Sequence, residues 1–267
     1  MRASDSTVPS EPEALVRVLR RGLAVLRAFV PRNDWLGNHE LAAICNLPKP
    51  TVSRLTAKLV EYGYLIHSEQ RGQYRLSERV LELGYGAAAE RDIVALARAP
   101  MQKLADEEGA AVVLAVRDDL AMLCLEVTHS ERSMLSLRVS VGSRLSLLYS
   151  ALGRALVGAM PQAEREPLFA EIRRRMPEEW PQLSEAFSDA EQQMRLSGWC
   201  VNVGNLEQGV NGVAVVVDAP GAPHRYSIGI AAPAFRFPVA LIEGRVGPKL
   251  TTLRQMLEEA LHASRRD

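Results

Sequence analysis

The sequence predicts two domains. An N-terminal winged helix-turn-helix, mainly α with a β-hairpin wing, leads through a linker helix into a larger α+β domain with a largely antiparallel sheet. Three observations predict this. Residues 39–58 hold two short helical patterns separated by a tight turn at Leu47-Pro48-Lys49, and a hairpin pattern follows at once. Beyond residue 100, apolar strand-like runs and amphipathic helices are mixed without the strict alternation of a parallel βαβ sheet. The chain, at 267 residues, exceeds an ordinary single domain and can bury a core without a disulfide or metal.

The elements follow in order. Residues 1–12 are polar, with Pro and Ser, and read as a flexible tail. The winged domain spans 13–76. Residues 13–30 place Leu15, Val18, Gly22, Val25, Leu26 and Phe29 near helical spacing, and Pro31 and Asn33-Asp34 end that helix. The next helix, HELAAIC, takes Asn38 as its N-cap, with Glu40 in the first turn where the dipole favours an acid. Pro48 ends it. A second helix begins at Pro50-Thr51, repeats Val52, Leu55 and Leu59 on its inner side and stops at Gly63. Strands Tyr64–His67 and Gln73–Leu76 flank a turn at Gln70-Arg71-Gly72. Residues 77–99 read as a linker helix capped by Ser77, ending before Pro100, with a weak point at Gly84 and Gly86.

Residues 100–267 form the second domain. A helix over 100–109 precedes strands at Ala111–Val116, Ala121–Val127 and Met134–Val141. Helices follow at Ser150–Met160, Ala163–Met176 and Ser184–Leu196, then strands at Val213–Val217 and Arg225–Ala231. A closing helix over 239–263 keeps Leu250, Leu253, Leu257 and Leu261 in phase.

Composition narrows the function classes. Apolar residues are 47% and charged residues 24%, ordinary globular values that exclude a disordered or collagenous chain. Apolar runs such as Gly212–Val217 are too short to span a bilayer, so no membrane role is expected. The start, MRASDSTVPSEPE, has no apolar segment of a secretory signal, and three scattered cysteines make no disulfide framework; a reducing, cytoplasmic location is expected. Lys plus Arg equals Asp plus Glu at 32 each, but residues 1–85 carry 12 basic and 9 acidic side chains, net +3, leaving −3 for the rest. A basic module joined to a neutral or acidic domain suits nucleic-acid binding.

The helix pair over 39–58 carries that reading. A recognition helix presents its N-terminal residues to base edges in the major groove, so small polar and basic side chains belong there. Thr51, Ser53 and Arg54 are of that kind, and Arg54 has the fork that fits guanine. Lys49 and Lys58 suit phosphate oxygens, and the N–H groups of Thr51 and Val52 are expected to be free for an anion. Arg71, at the tip of the wing, reaches for the neighbouring backbone. Two alternatives stand beside this. The helices could be part of an ordinary bundle, or the winged helix could be a protein-interaction adaptor.

The chain also resembles the IclR-type bacterial transcriptional regulators. The resemblance runs from about residue 16 to about 260. It rests on VLRRGLAVLRAF, ELAAICNLPKPTVSRLTAKLVEYGYL, GQYRLSERVLELG, VGSRLSLLYSALGRALVGAMP, GWCVNVGNLEQGVNGVAVVV and IGIAAPAFRF in that order. It implies a winged helix-turn-helix, a linker helix used in dimerisation and a GAF-like effector-binding domain. It further implies a homodimer or homotetramer acting on a double-stranded DNA operator beside a catabolic operon, and no enzyme.

The resemblance also implies an effector site for a small organic acid. Ser150 would cap the helix after GSRLSLLYSALG, so that the N–H groups of Ala151, Leu152 and Gly153 face the ligand. Members that bind small polar acids place an acid, a Cys and two Ser where this chain has Asn202, Gly212, Gly229 and Ala231. Each replacement removes charge, bulk or a hydroxyl, which points to a larger, partly aromatic effector. The run from Thr128 to Ala155 is most similar to the branch that regulates aromatic-acid catabolism.

Other signals fall away. His39-Glu40-Leu41-Ala42-Ala43 begins like a zinc-protease helix but has Ala43 where the second His must stand. His39, His67, His129, His224 and His262 show no metal spacing, so no metal and no cofactor are expected. No nucleophile–base pairing supports an active site in 100–267. Cys45, Cys124 and Cys200 read as small core residues.

Overall fold

The computed structural model describes residues 11–30, 34–89, 92–131, 139–219, 222 and 224–263. The expected tail lies outside them up to residue 10, as do Pro31 and Asn33 and residues 134–138 of the expected strand. The chain divides into two compact units, Met1–Glu90 and Arg91–Asp267, a division that falls inside the 77–99 stretch.

In the first unit, α1 (Glu11–Arg27) precedes β1 (Leu36–Gly37), α2 (Asn38–Cys45), α3 (Lys49–Glu61), β2 (Leu65–Ser68), β3 (Gln73–Leu76) and α4 (Val80–Ala89). Its core is Val25, Phe29, Leu41, Val52 and Leu65. The apolar stripe expected on α1 is only half used. Val25 and Phe29 are buried, whereas Leu15 and Val18 of that stripe, like Val16, Leu19 and Leu23 beside it, stay exposed, because α2 and α3 are short and cover only the C-terminal turns. The α2 cap also differs from expectation. Gly37, not Asn38, is the N-cap, and its N–H donates to Glu40 Oε2 at 2.7 Å. Asn38 instead sits 3.3 Å from the hydroxyl of Thr56, a fully buried polar residue of α3, and so ties the two helices together. Asn46 closes α2 in the left-handed conformation at φ 50°, and Leu47 N–H reaches back to Ala42 O. The wing is a three-stranded antiparallel sheet in the order β1-β3-β2.

In the second unit, α5 (Asp92–Glu108) leads into β4 (Ala111–Asp118), β5 (Ala121–His129), β6 (Arg144–Ser146), α6 (Ala151–Gly158), α7 (Gln162–Arg175), α8 (Trp180–Ser197), β7 (Cys200–Val203), β8 (Val210–Val217) and β9 (Tyr226–Pro233). The short α9 (Val239–Leu241) runs through a π-turn segment, Ile242–Val246, into α10 (Gly247–Ala263). The strands form one antiparallel sheet in the order β6-β5-β4-β9-β8-β7. Its two faces carry separate cores. Val112, Leu114, Val116, Val213, Val215, Ile228 and Ile230 pack with α5 and α10. Val113, Ala115, Ala214 and Val216 pack with α6, α7 and α8. Both faces are covered, so β4 and β8 read as continuous apolar runs rather than alternating ones.

Four elements differ from expectation. Proline was expected to stop a helix before residue 100, yet α5 runs through Pro100 to Glu108. Ile93, Ala97, Met101, Leu104 and Ala105 recur on one face and are all buried on the sheet, which offsets the ~3 kcal/mol an interior proline costs. The helix α4 runs unbroken over Gly84 and Gly86. The third strand lies at Arg144–Ser146 rather than over 139–141, and the edge strand β7 has no counterpart among the expected elements.

Candidate functional site

Two sites emerge, one in each unit. On α3, Val52 and Thr56 are buried, which turns Lys49, Pro50, Ser53, Arg54, Ala57 and Lys58 to solvent. Thr51 is half-buried at the edge of that face. The helix starts at Lys49, one residue earlier than expected, with Pro48 as N-cap. The shift changes which amides are free. The N–H groups of Thr51 and Val52 both donate to Pro48 O, at 2.9 and 3.1 Å, so the expected anion site on them is not there. Arg54 Nε donates to Pro50 O at 3.3 Å, which lays the side chain back along the first turn. Lys58 Nζ pairs with Glu61 Oε2 at 2.7 Å, and this bond holds the ammonium's pKa above its ordinary value.

The wing follows. Gly72, at φ +61°, closes its tip through an N–H bond to Ser68 O at 2.8 Å, and Arg71 is exposed beside it. The guanidinium of Arg71 lies 5.6 Å from the ring centre of Trp35, and that of Arg75 lies 5.1 Å from the same ring.

In the second unit, a cavity of about 60 Å³ opens between the sheet and the start of α6. It brings together seven of the eight expected effector residues: Ser150, Ala151, Leu152, Asn202, Gly212, Gly229 and Ala231. Gly153 is the eighth and does not line it. Its N–H is taken by Ser150 Oγ at 3.1 Å, and a Cβ there would lie 2.1 Å from Leu147 O, so it serves the close packing of α6. The first two amides of α6, at Ala151 and Leu152, precede the helical ladder and are the donors left for a ligand. Asn202 is buried with its amide engaged at both ends, by Tyr149 O and by the N–H of Asn205, so it braces the cavity wall. The room expected from glycine at position 229 is filled: a Cβ there would lie 3.0 Å from Leu152 Cδ2. The remaining described wall is Ala111, Val113, Val139, Leu145, Leu206, Val210, Val213 and Ile230 with one ionisable group, Glu207; among the described residues no Lys, Arg or His lines it.

Burial raises the thiols of Cys124 and Cys200 to about 12, so neither is a nucleophile at neutral pH. Among the described residues no group of three or more His, Cys, Asp or Glu is placed to hold a metal ion, and no helix is long and apolar enough to cross a membrane.

Comparison with known proteins decides the family. The description "Bacterial transcriptional regulator IclR C-terminal" matches residues 85–259, and "IclR helix-turn-helix domain" matches residues 18–67. The chain belongs to the IclR family. An IclR relative, the HTH-type transcriptional regulator TsaQ1/TsaQ2 of Comamonas testosteroni, is 30% identical over 94% of this chain and 90% of its own length. The crystal structure of an IclR family transcriptional regulator from Brucella abortus superposes with a TM-score of 0.77 at 37% identity, covering 96% of each chain. An IclR homologue from Microbacterium hydrocarbonoxydans, crystallised with 4-hydroxybenzoate, shares the fold at 21% identity with a TM-score of 0.71, covering 92% of this chain and 99% of its own. The protein is thus a DNA-binding transcriptional regulator of the IclR fold, and its relatives are regulators, not enzymes.

Sequence reasoning missed Trp35 and Arg75 in the wing and Val139, Leu145, Leu206, Glu207 and Val210 in the cavity. Strand β1 has two residues, too few to show a period, and Leu206 and Glu207 sit in the irregular segment between β7 and β8.

Proposed function

We propose that this IclR member is a ligand-responsive, sequence-specific regulator of a catabolic operon, acting in the cytoplasm as a homodimer or homotetramer on a double-stranded operator. The observation that carries the reading is the exposed α3 face of Lys49, Ser53, Arg54 and Lys58, with Thr51 at its edge, held outward by buried Val52 and Thr56. Arg54 reads a base edge, Lys49 and Lys58 position the helix on phosphates, and Arg71 adds a contact from the wing. Paired reading heads place α3 in successive major grooves about 34–36 Å apart. The exposed Leu15, Val16, Leu19 and Leu23 of α1 support pairing, since a second copy can cover them.

The effector domain, over 100–267, takes a small organic acid with a ring. Among the described residues of this cavity a short polar acid finds donors for few of its oxygens. An aromatic acid sets its carboxylate on the N–H groups of Ala151 and Leu152, its ring against Val113, Leu145 and Val210, and a ring hydroxyl toward Glu207. The ligand in the Microbacterium hydrocarbonoxydans structure supports this class. A cavity of about 60 Å³ is smaller than the ~150 Å³ that holds benzene, so Leu152 turns aside as the ligand enters. Ligand then shifts the population of paired reading heads through the linker segment over 77–99, which holds α4 and the start of α5.

Fluorescence anisotropy with a duplex from the region upstream of its own gene tests the reading. Arg54→Ala should weaken specific binding by about 1–3 kcal/mol and relax base preference at one position. Lys58→Ala should weaken specific and scrambled duplexes alike. Equal affinity of wild type and Arg54→Ala for the specific duplex would refute the assignment of α3. Calorimetry of the full chain should detect 4-hydroxybenzoate and not glyoxylate; the reverse pattern would refute the ring-acid class.

A further inference from the structure

We infer that Trp35 makes the wing a two-armed clamp on the phosphodiester backbone of DNA, with Arg71 and Arg75 as the arms and Trp35 as their positioning residue. The inference rests on the DNA-reading role of α3 proposed above. Strand β1 pairs with β3 through Leu36↔Tyr74 and Gly37↔Gln73, so Trp35, one residue back, falls opposite Arg75. Arg75 comes to the ring from β3 and Arg71 from the hairpin tip, both within cation–π range.

The chemistry of this arrangement differs from that of the other basic groups. Two guanidiniums gathered at one side chain repel each other. The negative face of the indole compensates each through its flat side and leaves the in-plane N–H edges available. Carboxylates do little here. Glu78 stands at 4.0 Å from Arg75 and is itself 79% exposed, and no described carboxylate lies within 4 Å of Arg71. Arg75 Nε is buried with no hydrogen-bond partner, so the donors Arg75 offers outward are its terminal Nη groups, on a side chain 41% exposed. Lys58, by contrast, is neutralised by Glu61, and Arg245 by the buried Glu108. A pair of positive charges held together by an uncharged ring, with donors left open, fits an oxyanion that accepts from both. In a winged helix whose neighbouring helix faces a duplex, that oxyanion is backbone phosphate.

The test is the salt dependence of duplex binding by the full chain, with melting curves for each variant. Arg71→Ala and Arg75→Ala should each lower the slope of log K against log salt by about 0.9, on specific and scrambled duplexes alike. Trp35→Ala should lower it by up to the sum of the two, Trp35→Phe should restore it, and Arg71→Ala made in the Trp35→Ala background should add nothing. A folded Trp35→Ala with the wild-type slope overturns the inference, as does failure of Trp35→Phe to restore it. Should Trp35→Ala not fold, the Arg71→Ala/Arg75→Ala double variant decides: a wild-type slope overturns the clamp. If Lys58→Ala lowers the slope and the wing variants do not, the clamp fails and the α3 reading stands. If wild type binds no duplex in a salt-dependent way, the α3 reading itself fails.

Discussion

Lys58 and Glu61 sit one turn apart at the exposed end of α3, and under the proposed DNA-reading role of α3 their ion pair competes with phosphate. Glu61→Gln frees the ammonium and removes a like charge from the path of the phosphates. Affinity for specific and scrambled duplexes should then rise a few-fold at low salt, with the gain fading as salt screens it; anisotropy at two ionic strengths checks this, and an unchanged affinity would mean the pair lies off the DNA. At this scale the exposed face of α3 was legible because a 3.6-residue period sorts Val52 and Leu55 from Ser53 and Arg54 without any knowledge of the fold. The free amides of Thr51 and Val52 were misjudged because a one-residue shift of the helix start hands both N–H groups to Pro48 O. Arg71 was legible as a tip residue, but its partner ring was not. Trp35 meets Arg75 only through strand pairing across some forty residues of sequence.

Helix α6 depends on glycine where it meets the segment before it. A Cβ at Gly153 would lie 2.1 Å from Leu147 O and 2.5 Å from Leu147 Cα, backbone atoms that cannot turn aside. Gly153→Ala should therefore destabilise the second unit by about 1–3 kcal/mol or more and abolish ligand binding with it. Gly84→Ala in α4 is the contrast: nothing lies within 4 Å of its Cβ, and helix propensity favours alanine by about 1 kcal/mol. Chemical denaturation of both variants checks the pair, and equal effects would contradict the packing. Elements with a long period, such as α8 and α10, were legible from sequence. Those decided by tertiary contact were not. The helix α5 crosses Pro100 because its apolar face is buried on the sheet, and β7 pairs at the sheet edge with only four residues to announce it.

The second unit is held across its width by charge as well as by its two cores. Lys249 of α10 donates to Glu107 and Glu108 of α5, each at 2.8 Å, and Arg245 meets the same buried Glu108 at 2.7 Å. Hydrogen bonding to Lys249 holds the Glu107 carboxyl below its ordinary 4.5. Bonds to Glu107 and Glu108 hold the Lys249 ammonium above its ordinary 10.5. A depressed acid contributes stability that is present above pH 4.5 and lost as pH falls through the folded value. A raised base contributes stability that is present below pH 10.5 and lost as pH rises through its own. Lys249→Met should lower the Tm by about 2–4 °C at neutral pH. The gap from wild type should shrink toward both extremes; a gap independent of pH would show that the loss comes from packing alone.

The proposed ligand cavity of one unit and the proposed reading face of the other matter together only if occupancy of the first changes the second. The two-unit division, the antiparallel sheet and the family were all readable from residue patterns, whereas the filling of the cavity by Leu152 was not, since it depends on a rotamer. The direct measurement takes a ligand that calorimetry has shown to bind and compares the affinity of the full chain for its upstream duplex with and without it. The account predicts a shift of about 5–150-fold, in either direction, that Gly229→Ser diminishes by crowding the cavity. A ligand that saturates the cavity and leaves duplex affinity unchanged would contradict it.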